Sequence, residues 1–207
     1  MYIQGLVRAW VEGAPRLYDA GYRAISPERL RIEFERIRHR LVEDHSEGDI
    51  VALQLPRDER YLLSLLACLD IGLTYIPLRM EWPEARIEQI RQLSGFVTVV
   101  DERYVERALQ GSSYTGQAGS FDLSPDKPLY YMFTSGSTGE PKGVAIKRDS
   151  YGNFLSWLTE HFVEVAEEDR LLNSTDYTFD VSMAEVGLLL VRHPQFYVSN
   201  FSDDLFT

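Results

Sequence analysis

The sequence predicts an α/β protein in which parallel-rich sheets are flanked by helices. Three observations carry this expectation. Short β-branched and aromatic runs alternate with helix-period apolar stripes from Asp49 to Leu109. Ser26-Pro27, Gly72, Pro83 and Asp101 stand where helices start or stop. Hydrophobic residues make up 44% of the 207 positions, enough to build a core.

The elements follow in order. The first forty residues read as mostly helical: Ser26-Pro27 starts a helix whose Leu30, Phe34, Ile37 and Leu41 form an apolar stripe. Along it, Arg29, Arg31, Arg36, Arg38 and Arg40 interleave with Glu28, Glu33 and Glu35, which reads as a solvated face. Asp49 to Leu55 reads as a strand. Glu59 to Asp70 is a helix carrying Leu62, Leu66 and Leu69, stopped by Gly72, and Thr74 to Leu78 is a buried strand. Pro83 opens a helix with Ile87, Ile90 and Leu93. Phe96 to Val100 is a strand, and Asp101 caps a short helix to Leu109.

Gly111 to Lys127 is rich in Gly, Ser, Thr and Asp without periodicity, and reads as a connector. The chain thus divides into a βα region 1–110, a connector 111–127 and a second region 128–207. In the last, Tyr130 to Phe133 is a strand and Val144 to Ile146 a short return strand. Ser150 starts a helix with Phe154, Trp157 and Leu158. A strand at Leu171 to Asn173, a helix at Ser182 to Val191 and a strand at Gln195 to Val198 complete it. Strands alternating with helices of this length argue for βαβ units around a parallel sheet.

Composition excludes several functions. The net charge of −11, from 32 acidic and 21 basic side chains, argues against nucleic-acid binding. The single cysteine, Cys68, can form neither an intrachain disulfide nor a cysteine metal cluster, and its apolar neighbours make it a buried thiol. The 4 histidines show no metal-ligand spacing. No signal-peptide pattern and no apolar run of membrane-spanning length occurs, so a cytoplasmic setting is the expectation, with no membrane partner.

The run from Thr134 to Gly143 carries the chemistry. Gly136, Gly139 and Gly143 let backbone N–H groups turn toward a ligand, Thr134, Ser135, Ser137 and Thr138 add rotatable hydroxyl donors, and Lys142 adds a compact positive charge. Such a set suits a polyphosphate. A flexible Ser/Gly loop with no ligand is the competing reading. The run is not a Walker loop, because Gly143 follows Lys142 where Ser or Thr would stand, and no G-x-G-x-x-G fingerprint occurs.

The ordered string Thr-Ser-Gly-Ser-Thr-Gly-x-Pro-Lys-Gly closely resembles the signature of the adenylate-forming enzymes, which include acyl-CoA synthetases and nonribosomal peptide synthetase adenylation domains. The resemblance implies that Thr134, Ser135, Gly136, Ser137, Thr138, Gly139 and Lys142 bind the phosphates of ATP, with Mg²⁺ bridging them. Leu65 to Leu78 resembles the family's helix-Gly-strand segment, with Ile71 where a small residue usually stands, and Trp82 to Ile87 fits its continuation. These residues are structural.

Tyr177 to Glu185 resembles the Phe-Asp-x-Ser segment of amino-acid-activating members and of D-alanine–carrier protein ligases. The resemblance implies that Asp180 pairs with a substrate α-ammonium group, with Val181 and Ala184 lining the side-chain pocket. A carboxylate between Phe179 and Val181 suits that role, since a charge in an apolar setting needs a partner. The alternative is that Asp180 caps the helix that begins near Ser182.

The resemblance places this chain in the front part of the family's large N-terminal domain. The family's adenine, ribose and magnesium segments, and the small mobile C-terminal domain with its catalytic lysine, lie beyond it, so the catalytic residue is not in this chain. The expectation is therefore the N-terminal part of an amino-acid adenylating ligase, inactive alone, with a missing C-terminal segment or partner chain. In the intact enzyme the aminoacyl group passes to a phosphopantetheine thiol on a carrier protein. An acyl- or aryl-CoA ligase fragment, and a non-catalytic split half that binds a partner chain, are the other readings.

Overall fold

The computed structural model describes residues 3–111, 119–135 and 141–199. The elements run α1 (Ile3–Glu12), β1 (Leu17–Tyr18), β2 (Ala24–Ile25), α2 (Pro27–Asp44), β3 (Ile50–Leu53), α3 (Glu59–Ile71), β4 (Thr74–Pro77), α4 (Glu84–Ser94), β5 (Thr98–Val100) and α5 (Glu102–Gln110). Beyond the connector come β6 (Pro128–Ser135), β7 (Pro141–Lys147), α6 (Arg148–His161), β8 (Arg170–Asn173), α7 (Ser182–Arg192) and β9 (Gln195–Val198).

The strands form two sheets. One has five strands in the order β5-β3-β4-β6-β7. Its first four strands are mutually parallel, and β7 returns antiparallel to β6. The other has four strands in the order β2-β1-β9-β8. In it β1, β9 and β8 are parallel and β2 is the antiparallel edge. This second sheet joins the beginning of the described chain to its end: Leu17 lies opposite Phe196.

Alternation along the strands gives the five-stranded sheet two buried faces. Val51, Leu53, Tyr75, Val100, Tyr130 and Met132 point into a large cluster shared with α1, α2, α3, α6 and α7. Their neighbours Ala52, Ile76 and Phe133 point the other way, against Ile90 of α4 and Phe96. α4 is correspondingly one-sided: Ile90 is buried while Leu93 is 62% exposed.

The sequence signals act locally as their chemistry requires. Ser26 accepts from the Arg29 amide, Pro27 takes the first helical position, and the stripe Leu30, Phe34, Ile37 and Leu41 is fully buried. Asp58 caps α3 and Asp101 caps α5 through their carboxylates. Gly72 ends α3 at φ 81°, a left-handed conformation that favours glycine. A Cβ there would also lie 2.8 Å from Leu123 Cδ2, so space and backbone both select it.

α3 is the centre of the core. Every residue from Tyr61 to Ile71 is buried, so this helix has no wet face. Each fully buried leucine on it contributes roughly 1.5–3 kcal/mol of transfer free energy. Cys68 lies within it at 0% exposure, and burial pushes its thiol up, away from the reactive thiolate.

Asp70, also at 0% exposure, is held by two arginines. Arg8 of α1 donates to both carboxylate oxygens, at 2.8 and 2.6 Å, and Arg38 of α2 donates Nε at 2.5 Å. Burial acts against the Arg8 charge, but the hydrogen bond and charge of Asp70 outweigh it and its pKa is raised. Arg38 thus departs from the solvated face expected for its helix. It is 5% exposed and points inward, while Arg29 and Arg40 behave as expected in exposed i,i+4 pairs.

Three other expectations are corrected. The early segment is interrupted by β1 and β2, whose two residues each are too short to show a period. The return strand is longer than Val144 to Ile146, because pairing with β6 extends it to Pro141 and Lys147. The helix after it starts at Arg148 directly from the strand, and Ser150 does not cap it but bonds to its neighbour Asp149.

Replacing Asp70 by Asn should remove the buried negative charge that Arg8 and Arg38 share. The expected cost is about 3 kcal/mol, read as a lower urea midpoint with an unchanged slope. An unchanged midpoint would show the cluster to be energetically neutral.

Candidate functional site

The carboxyl ends of β3, β4 and β6 lie at one end of the five-stranded sheet because the strands are parallel. Ligands of open α/β sheets bind at such ends. Two of the segments singled out in the sequence lie at that end.

The first is the run Thr134 to Gly143. β6 and β7 form a hairpin whose register sets Thr134 opposite Lys142 and Ser135 opposite Pro141. The pairing therefore closes the base of the intervening segment. Gly136, Ser137, Thr138 and Gly139 lie outside the described residues, as does the Ser135 side chain. Thr134 and Lys142 are exposed, and among the described residues Lys142 joins no ion pair. Gly143 is explained by packing: a Cβ there would lie 2.9 Å from the Phe133 ring opposite.

The second is the loop that leads into α7. Arg79, just past the end of β4, fastens it. Its Nε lies 3.3 Å from Asp176 and donates to Thr178 Oγ1 at 3.3 Å, and its guanidinium stands over the Phe179 ring at 5.3 Å. Arg57, just past β3, donates to the Asn173 carbonyl at 3.1 Å. Glu185, in the first turn of α7, draws the preceding residues in by accepting from Asn173 Nδ2 at 2.5 Å and Thr175 Oγ1 at 2.8 Å. Arg79, Glu185 and Arg57 escaped sequence reasoning. Isolated charges show no period or motif, and their partners are distant in sequence.

Asp180 follows this loop and is exposed, as are Phe179 at 55% and Val181 at 61%. The surroundings are thus more open than the apolar setting expected from its neighbours. Asp180 does not cap α7: the N-cap position belongs to Val181, and no side chain caps the helix. Among the described residues the Asp180 carboxylate accepts no hydrogen bond and joins no ion pair. Its charge still reaches the phenol of Tyr130 on β6, which burial, and then Asp180, push up. Ala184, one turn into α7, is half-buried.

Between the loop before α7 and the segments that follow β3 and β4 lies a cavity of about 250 Å³, lined among others by Leu55, Arg57, Tyr61, Leu78, Arg79 and Tyr177. The rings of Tyr61 and Tyr177 stack at 4.1 Å. Tyr61, Tyr75, Tyr130, Tyr151 and Tyr177 are all buried, and burial is the first cause that pushes each phenol up. No helix among the described residues is long and apolar enough to cross a membrane.

Comparison with known proteins agrees with this arrangement. The sequence model of a family described as "AMP-binding enzyme" matches residues 8–205. A dimodular nonribosomal peptide synthase of Bacillus subtilis (strain 168) is 32% identical over 194 residues, which are 84% of this chain and 8% of that protein. Tyrocidine synthase 1 of Brevibacillus parabrevis is 27% identical over 85% of this chain and 18% of its own length. Among solved structures, the N-terminal subdomain of Klebsiella oxytoca NpsA, in complex with 3-hydroxyanthranilyl-AMSN, superposes with a TM-score of 0.78 at 22% identity. The match covers 95% of this chain and 52% of the NpsA chain. The chain therefore spans about half of that solved subdomain and a small part of the curated relatives.

The buried phenols have a pH consequence. Folded values raised above the ordinary ~10 stabilise the protein fully below pH 10 and progressively less as pH rises through the folded values. In an alkaline titration of the 12 tyrosines, any early phenolate signal should leave circular dichroism intact. The buried set should follow only as the fold is lost. Complete ionisation in one reversible step with native dichroism would contradict the burial.

Proposed function

Because the chain belongs to the AMP-binding enzyme family, we propose that it forms the front part of a ligase that adenylates an amino acid with ATP, releasing pyrophosphate. The observation that carries this reading is the hairpin register of β6 and β7. It sets Lys142, which joins no ion pair among the described residues, across from Thr134 on the two strands that flank the Gly/Ser/Thr run.

The donor set fits a triphosphate. Thr134 and Lys142 are solvent-facing donors with no competing acidic partner among the described residues. Ser135, Gly136, Ser137, Thr138 and Gly139 would supply the remaining hydroxyls and amides. The described residues contain no cluster of acidic or imidazole groups able to hold a metal ion, and Mg²⁺ would accompany the phosphate oxygens, its preferred hard ligands. When bound, it would offset their negative charge.

Asp180 would receive the α-ammonium group of the substrate. It is exposed, its carboxylate joins no hydrogen bond or ion pair among the described residues, and it follows the loop that Arg79 fastens, at the same end of the sheet as the phosphate hairpin. Val181 and Ala184 would border the side chain of the amino acid. The curated relatives include peptide synthases and a tyrocidine synthase, which supports an amino acid as substrate and a carrier-protein phosphopantetheine thiol as acceptor. A carboxylate substrate without an amino group would leave Asp180 facing an uncompensated apolar group.

Two substitutions separate the roles. Lys142→Ala should weaken ATP binding about tenfold or more, as loss of a charge-assisted contact implies. Asp180→Asn should leave ATP affinity unchanged and remove amino-acid-dependent pyrophosphate exchange in the protein that contains this chain. Exchange sustained by fatty or aryl acids but by no amino acid would overturn the reading.

A further inference from the structure

α7 begins two residues after Asp180, so whatever fixes its first turn also aims that carboxylate. Two tyrosines from different elements do so, and both act on Met183. Tyr151 of α6 donates its hydroxyl to the Met183 carbonyl at 2.9 Å. Tyr75 of β4 donates to the Met183 sulfur at 3.1 Å. The Met183 amide in turn donates to the Asp180 carbonyl at 2.9 Å. All three residues, Tyr75, Tyr151 and Met183, are 2% exposed or less.

The same rings contact the strand that leads to the phosphate hairpin. Tyr130 of β6 lies 5.6 Å from Tyr75 and meets Tyr151 edge-on at 6.3 Å. One turn further along α7, a Cβ on Gly187 would lie 2.5 Å from Leu158 Cδ1 and 3.1 Å from Leu155 Cδ2. Glycine there lets α7 approach α6 closely enough for the Tyr151 bond to form.

A core-filling role is the simpler account of these tyrosines, and phenylalanine would meet it. A buried hydroxyl costs free energy unless it is bonded. Two such hydroxyls converging on one residue, three positions from Asp180, are better matched to orienting that residue. We propose that Tyr151 and Tyr75 are positioning residues: through Met183 they hold Asp180 in the orientation that receives the substrate ammonium group. This rests on the amino-acid reading above.

The test compares Tyr151→Phe, Tyr75→Phe and Asp180→Asn in the protein that contains this chain. Each Phe variant keeps the ring and removes only the hydroxyl. Tyr151→Phe should raise the KM for the amino acid about five- to tenfold, the scale of one buried hydrogen bond. The KM for ATP should stay within about twofold. Tyr75→Phe should act in the same direction more weakly, because a thioether is a poor acceptor. In the 207-residue chain, amide exchange at Met183 and Ala184 should speed up in Tyr151→Phe while β6 stays protected. That measurement needs no catalysis.

An unchanged amino-acid KM in both Phe variants, or equal rises in both KM values, would overturn the positioning role. If Tyr151→Phe does not fold, Tyr75→Phe decides the question by the same two KM values. Failure of Asp180→Asn to alter the amino-acid KM would instead remove the ammonium reading, and this inference with it. An effect of Asp180→Asn without an effect of either Phe variant would remove this inference alone.

Discussion

A carboxylate buried in a protein core needs partners that meet it there, and Asp70 shows what that requirement imposes. Arg8 and Arg38 reach it from two helices, so α1 and α2 are tied to the same point on α3. Arg148, at the start of α6, donates to the carbonyl of the adjacent Leu69. Three helices are thereby registered on α3. Removing the ions in favour of apolar residues can be neutral or stabilising in other proteins, so the cluster is better understood as a registration device than as a source of stability. With α3 fixed, the strands on either side of it, β3 and β4, are fixed as well.

Strand order then determines where chemistry can happen. β3, β4 and β6 end at the same side, and each hands its chain to a polar loop. Arg57 and Arg79 leave the ends of β3 and β4 and reach across to the segment before α7. β6 leads into the Gly/Ser/Thr run. Residues separated by dozens of positions are brought together by the parallel sheet, and the loop before α7 needs no regular structure of its own because three charged side chains hold it.

Much of this was legible in the sequence. The stripe Leu30 to Leu41, the caps Ser26 and Asp101 and the stop at Gly72 are short-range signals, and each acts within one turn of its helix. The string Thr134 to Gly143 was legible because it is ordered and long. What could not be read were features decided by distant partners. Arg38 looks like its neighbours Arg36 and Arg40, yet Asp70, a residue of the next helix, meets it in the core. Arg79 stands alone after a strand and finds Asp176 only when the sheet has formed. The exposure of Asp180 escaped for the same reason: apolar neighbours in sequence do not guarantee apolar neighbours in space.

The pairing of Leu17 with Phe196 has a consequence for biosynthesis. At about 5–20 residues per second, β1 emerges from the ribosome roughly ten to forty seconds before β9 exists to receive it. A two-residue strand cannot hold itself, so Leu17 and Ile25, both buried in the finished fold, are wet during that interval. Helices α1, α2 and α3 have all been synthesised long before. The nascent chain therefore passes through a stage in which every strand of the five-stranded sheet has been made while β1 still lacks its partner β9.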